Sequence, residues 1–325
     1  MCLFPRLLRN PKYQHNKKNG GNVPYMKDIR VRFVPVACGN CIECRKAKAR
    51  EWQVRLNEEL KRTKYAYFIT LDFEPTQLKQ LCEKYELKES NAVAGKAVRL
   101  FLERVRKDYK KSIKHWLITE LGQTSTERIH LHGIFFLDFP INNDWLRKYW
   151  KYGERADTGQ YCNARTINYI IKYVTKIDTT HKNFKPQIFC SKGLGSNYIT
   201  EFAKSKHKYN GQDTRDYYTL PNGGNVNLPI YYRNKLFTED EREMLWCDKL
   251  DKNTRYIMGT EIRKANQNQE YLLSVLQKAQ ETNRAIGYGD HTAEWKKEDY
   301  NITLQMLKKG KTKKELISQI VPSKK

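Results

Sequence analysis

Ile129-His130-Leu131-His132-Gly133-Ile134-Phe135-Phe136-Leu137 is a β-branched and aromatic run that reads as one strand. Successive side chains of a strand point to opposite faces. Ile129, Leu131, Phe135 and Leu137 therefore line an apolar face suited to burial against helices, while His130 and His132 project together from the other. Upstream, His115-Trp116-Leu117-Ile118-Thr119-Glu120 has the same character, and the polar stretch 121–128 between the two runs predicts a hairpin. That pairing brings Glu120, the last residue of the first strand, close to the two histidines. Two imidazoles and one carboxylate leave open positions for substrate oxygens, and they accept Mn²⁺ or Mg²⁺ as well as tighter-binding metals. A His-x-His pair also arises by chance in strands, so a purely structural role stands beside the metal reading.

Working outward, Tyr65-Ala66-Tyr67-Phe68-Ile69-Thr70-Leu71-Asp72-Phe73 reads as a strand stopped by Glu74-Pro75, and residues 76–110 read as largely helical. On the other side, a short helix over 143–150 and a strand near 160–163 lead to an amphipathic helix predicted over 167–177, capped by Asn163 or Thr166. Its stripe is Ile167, Ile170, Ile171, Val174 and Ile177; Tyr169, Lys172, Tyr173 and Lys176 fall on the opposite face. A tyrosine wanted for packing should sit on the stripe. Two phenols and two ammoniums gathered away from it are either a solvated face or a functional one. Residues 186–190 read as a further strand, followed by a glycine-containing turn at 192–196.

The chain carries 61 Lys and Arg against 36 Asp and Glu, a net charge of +25 that suits a polyanionic partner, and its 21 tyrosines offer faces for stacking on unpaired bases. No run approaches 18 apolar residues and the first residues are too weakly apolar for a signal peptide, so no membrane association and a cytosolic location are expected. In a reducing compartment the cluster Cys38-Gly39-Asn40-Cys41-Ile42-Glu43-Cys44 reads as metal ligands sooner than as disulfides. If Cys2 folds back, Cys2, Cys38, Cys41 and Cys44 supply four thiolates for tetrahedral zinc; the alternative is buried, inert cysteines. A basic helix over 45–62 follows, with Trp52, Leu56 and Leu60 as apolar positions and Arg45, Lys46, Lys48, Arg50 and Arg55 available to phosphates. Three regions result: a Cys-rich element with the basic helix at 1–62, a core at 63–195, and a basic C-terminal region at 196–325, helical from about residue 239 with a basic close at 308–314.

Together these motifs suggest a reaction. A cation on His130, His132 and Glu120 would polarise a scissile phosphate while Tyr169 or Tyr173 attacks phosphorus, with Lys172 and Lys176 stabilising phenolate and phosphate charge. The products would be a 5′-phosphotyrosine link and a free 3′-hydroxyl, and a second transesterification could reseal the strand without ATP. No Walker A sequence is present, so no helicase motor is built in. A non-catalytic DNA-binding module, with the histidines buried, is the competing class.

Residues 68–73, His130-Leu131-His132-Gly133 and the doubled Tyr-x-x-Lys of residues 169–176 resemble, in this order, the three motifs of rolling-circle replication initiators, the HUH endonucleases. The likeness is greatest to the initiators of gokushovirus-like microviruses, which also open with Met-Cys, carry Cys-Gly-x-Cys-x-x-Cys before a Trp-containing basic helix, and have a later element similar to Leu228-Pro229-Ile230-Tyr231-Tyr232. Relaxases and single-strand transposases use similar parts, but relaxases usually place the tyrosine before the histidines. The resemblance implies an α+β fold with an antiparallel ferredoxin-like or palm-type sheet and flanking helices. It also implies Mg²⁺ or Mn²⁺ on the histidines and alternation of Tyr169 and Tyr173 as nucleophiles. The expected partners are single-stranded and supercoiled phage DNA at the replication origin, with host helicase and polymerase, in the host bacterial cytoplasm. Thr119 stands where the family often has glycine before the motif carboxylate.

Overall fold

The computed structural model describes residues 1–122, 128–153, 156–178, 184–265, 268–289 and Lys309. The tip of the expected hairpin loop and nearly all of the basic close at 308–314 lie outside the described residues. The chain forms two compact units, one of residues 1–47, 204–216 and 233–325, the other of residues 48–203 and 217–232.

In the second unit, β1 (Tyr65–Leu71), β2 (Lys114–Leu121), β3 (Ile129–Leu137), β4 (Ala156–Tyr161) and β5 (Ile188–Cys190) build one sheet of order β4-β1-β3-β2-β5, with every neighbouring pair antiparallel. The first four strands have the 4-1-3-2 order of a ferredoxin-like βαββαβ unit, and β5 extends the β2 edge. The fold is α+β, as expected. Helices α2 (Pro75–Tyr85) and α3 (Ser90–Tyr109) connect β1 to β2, and α4 (Asn143–Tyr149) connects β3 to β4. The strand expected near 160–163 begins earlier, at Ala156, where the backbone pairs with β1.

Alternation along the strands decides what each face covers. Ile69, Leu71, Leu117, Leu131 and Phe135 pack with Leu81, Ala97, Phe101, Leu146 and Trp150 in one apolar core. On the opposite face Ala66, Trp116, Ile118, Ile134 and Phe136 meet Ala49 and Leu56, together with Ile167, Ile170 and Val174. Ala49 and Leu56 belong to α1 (Ile42–Leu60), whose residues 48–60 count with this unit.

Gly133 sits where β3 is squeezed between β1 and β2, paired with Ile69 and Leu117. A Cβ there would lie 2.2 Å from the Trp116 carbonyl oxygen and 2.9 Å from the Leu117 Cα, both backbone atoms that cannot swing aside. Gly133→Ala is therefore expected to cost about 3 kcal/mol or more, read as a lowered urea midpoint.

The first unit holds a two-stranded ribbon of Arg6–Arg9 with Phe33–Val36, a hairpin of Arg255–Ile257 with Thr260–Ile262, and helices Glu239–Lys252 and Gln269–Ala285. The C-terminal region is largely helical where described, and it supplies core to the Cys-rich segment. Leu3, Phe4, Cys41 and Ile42 share one apolar cluster with Ile257, Ile262, Leu272 and Leu276. Two buried amides fasten it: Gln280 Nε2 donates to the Leu3 carbonyl at 2.8 Å, and Asn283 Oδ1 accepts from the Ile42 N–H at 2.9 Å.

Candidate active site

The tyrosine helix differs from expectation. It is not continuous over 167–177 but splits into α5 (Ala164–Ile170) and α6 (Lys172–Thr175) at Ile171. Ile170, Ile171, Val174 and Thr175 are all β-branched, which crowds the preceding turn and weakens helix propensity. The Val174 N–H turns to the Ile171 carbonyl at 3.0 Å, a tighter i→i+3 bond. Asn163 caps α5 as predicted, with Thr166 completing a capping box. The stripe holds where it matters most: Ile167, Ile170 and Val174 are buried, while Ile171 and Ile177 are only half-buried.

Despite the break, the polar face remains together. Tyr169 is 52% exposed, and its hydroxyl lies 3.3 Å from that of Tyr173, with the rings edge to face at 5.9 Å. Tyr173 stacks on the His132 ring at 4.6 Å and 20°. Burial pushes the Tyr173 phenol up, and the hydrogen bond with Tyr169 adds to the shift. The Lys172 ammonium is 5.7 Å from the Tyr169 ring centre, and that of Lys176 is 5.8 Å from the Tyr173 ring centre.

The hairpin register sets Glu120 directly opposite His130, and Thr70 and Ile118 on either side of His132. His132 Nε2 lies 3.0 Å from one Glu120 oxygen, and the Lys176 ammonium donates to the other. His132 Nδ1 is 3.3 Å from Thr70 Oγ1. Burial works against the Glu120 carboxylate, yet the hydrogen bonds from His132 and Lys176 prevail and hold it below its ordinary range. An ionised carboxylate only accepts, so the Nε2 proton must be on His132. Burial lowers the pKa of His130, as does its repulsion with His132, while Asp72 and Glu120 act in the other direction. His130 is thus held as a neutral imidazole, the form that can ligate a metal.

The structure therefore brings His132, Glu120, Tyr169, Tyr173 and Lys176 into one connected group, with His130 beside Glu120 in the register and Lys172 at its rim. Sequence reading missed Phe68 and Thr70 as members of this group. Phe68 meets the Tyr169 ring edge at 6.0 Å and lies parallel to His132 at 6.2 Å. The signal was the two-residue period of β1, which puts Phe68, Thr70 and Asp72 on the histidine face. Thr119 does not reach into the site. It is fully buried, donates to Asn91 at 2.7 Å and accepts from the Gln187 N–H at 2.8 Å, so it ties β2 to α3 and to the segment before β5.

Two further sequence expectations concern charge and metal. Lys46, Lys48 and Arg50 are exposed on α1, but Arg55 is not available to phosphate. Its guanidinium is sandwiched 4.3 Å from both Trp52 and Tyr231 and donates twice to the Leu194 carbonyl at 3.1 Å. Cys2 does fold back. Among the described residues, Cys2, Cys38, Cys41 and Cys44 are the group of three or more metal-ligating side chains whose donor atoms all lie within 4.8 Å of one another, and they could hold a metal such as zinc. The backbone N–H groups of Cys38 and Cys41 point at the sulfurs of Cys2 and Cys38, both at 3.3 Å. Hydrogen bonding from Cys2 drives the Cys38 thiol far below its usual range, while bonding with Cys38 pushes Cys2 up. Such sharing of protons among crowded sulfurs is what a bound cation would relieve. By the same distance criterion, His130, His132 and Glu120 are not yet gathered around one point.

Among the described residues no helix is long and apolar enough to cross a membrane. No curated protein and no solved structure matches the chain. A family of replication-associated proteins, the ORF2 type, does match, over residues 66–178, and this span contains both histidines, Glu120 and the tyrosine pair, so the sheet and its candidate site are similar to a replication-associated protein family.

Proposed function

We propose that this chain initiates rolling-circle replication by nicking and rejoining phage DNA at the origin through a 5′-phosphotyrosine link. One observation carries the reading: two phenols 3.3 Å apart, one of them stacked on a histidine that is hydrogen-bonded to a carboxylate, lie within the span similar to a replication-associated family. Two imidazoles and a carboxylate on one strand face are a donor set that suits Mg²⁺ or Mn²⁺, held by His130, His132 and Glu120. When bound there, the ion supplies Lewis-acid polarisation of the scissile phosphate. The exposed Tyr169 can reach a phosphate at this face, and Tyr173 lies one turn on to meet a second strand end. As the tyrosine oxygen bonds to phosphorus the P–O3′ bond breaks, and the phenolic proton ends on the departing 3′-oxygen. Lys172, over the Tyr169 ring, stabilises phenolate and phosphate charge. The exposed Lys46, Lys48 and Arg50 contribute to sequence-independent affinity for the strand. Host helicase and polymerase in the bacterial cytoplasm would unwind the duplex and extend the 3′-hydroxyl.

The test is incubation with single-stranded origin DNA and Mn²⁺ or Mg²⁺, then denaturation and detection of a protein–DNA adduct. His130→Ala/His132→Ala is expected to lower cleavage by about a thousandfold or more, the loss of several kcal/mol of electrophilic assistance, while retaining most DNA binding. Undiminished nicking by that variant would sink the metal assignment. DNA binding that never yields an adduct would favour a non-catalytic module.

A further inference from the structure

The two Tyr-x-x-Lys repeats have the same spacing but their lysines are used differently. Lys172 is exposed and rests over the Tyr169 ring, whereas the Lys176 ammonium reaches across to Glu120, which is only 19% exposed. Glu120 has two oxygens, and both are engaged: one takes the Lys176 ammonium and the other the His132 Nε2–H. A divalent ion at this centre would need the same carboxylate and the Nε2 lone pair, so what occupies them now is an internal ammonium and a proton.

We propose that Lys176 is a built-in stand-in for the divalent ion, holding Glu120 while the centre is empty of metal and released from it when metal arrives. This rests on the reading of His130, His132 and Glu120 as a divalent-ion centre. Electrostatics favours the exchange: an unpaired carboxylate half-buried against two imidazoles is costly, and an ammonium tethered one turn from Tyr173 neutralises it without an outside ligand. Release then has a second effect. Lys176 already lies 5.8 Å from the Tyr173 ring centre, so once freed from Glu120 its charge is available to that phenol and to phosphate. Metal arrival and readiness of Tyr173 are thereby linked, while Lys172 and Tyr169 stay outside the exchange.

The measurement is Mn²⁺ affinity of the full, zinc-replete chain, read from free Mn²⁺ by electron paramagnetic resonance. Removing the competing charge in Lys176→Gln should tighten Mn²⁺ binding about tenfold, whereas Lys176→Arg should keep the weaker affinity and Lys172→Gln should change it by less than about twofold. On the unaltered protein, acetylation of Lys176 by an amine-reactive reagent should rise severalfold when Mg²⁺ is added, with Lys172 labelling unchanged; this arm does not depend on any variant folding. Equal or weaker Mn²⁺ binding by Lys176→Gln, or Lys176 labelling indifferent to Mg²⁺, overturns the inference and leaves the centre itself standing. If His130→Ala/His132→Ala binds Mn²⁺ as tightly as the unaltered chain, the centre falls and this inference with it.

Discussion

Tyr169→Phe/Tyr173→Phe is expected to form no covalent adduct with origin DNA and to lose cleavage by a factor on the order of 10⁴ or more, since no other side chain on this face offers a comparable nucleophile. Phenylalanine keeps the rings that pack on Phe68 and His132 and removes only the attacking oxygens, so folding and DNA affinity should survive. The single variants separate the two phenols. Each should retain single cuts and lose the coupled cycle that releases circular strands, because one phenol must hold the first 5′ end while the other attacks the second. Their residual activities should differ. A strand reaches the exposed Tyr169 without disturbing the stack on His132, whereas Tyr173 must leave that stack or admit phosphate beside it. Tyr173→Phe should therefore keep more single-cut activity than Tyr169→Phe. Peptide mass spectrometry on the unaltered protein decides the rest: adducts on both tyrosines support alternation, and an adduct on one alone, with circles still released by the other's variant, refutes it.

What could be read from the sequence was what short periods encode. The two-residue alternation of residues 129–137 set the face of His130 and His132 and the face buried on α2, α3 and α4, and residues 115–120 gave the partner strand with Glu120 opposite His130. The strand order came from motif resemblance, because nothing local fixes which strand is central. Three features were not legible. The break at Ile171 depends on how a β-branched pair packs, and a face plot of a continuous helix conceals it. The fate of Arg55 depends on Tyr231, distant in sequence and without helical or strand periodicity to announce the contact. The Lys176–Glu120 ion pair is likewise long-range. Spacing predicted that Lys172 and Lys176 share a face, but only the fold distinguishes the lysine that meets a carboxylate from the one that does not.

Zinc removal should have the largest effect on stability. Cys2, Cys38, Cys41 and Cys44 present four sulfurs within 4.8 Å of one another, with two backbone N–H groups directed at them. Left without a cation they would crowd thiols or thiolates at the edge of the core that Leu3, Phe4 and Ile42 make with Leu272 and Leu276. Structural zinc contributes binding energy on the order of 10 kcal/mol, comparable with the whole stability of an ordinary domain. Freshly purified, reduced protein is therefore expected to hold about one tightly bound zinc per chain. Chelation, or Cys38→Ser/Cys41→Ser, should unfold the first unit, seen as lost amide protection in helix Gln269–Ala285, which lies far along the chain yet shares that core. The second unit has its own five-stranded sheet and two apolar clusters, so β1 and β3 should keep their protection. Elemental analysis that finds no zinc, or protection of Gln269–Ala285 that survives chelation, would return these cysteines to the role of inert core residues.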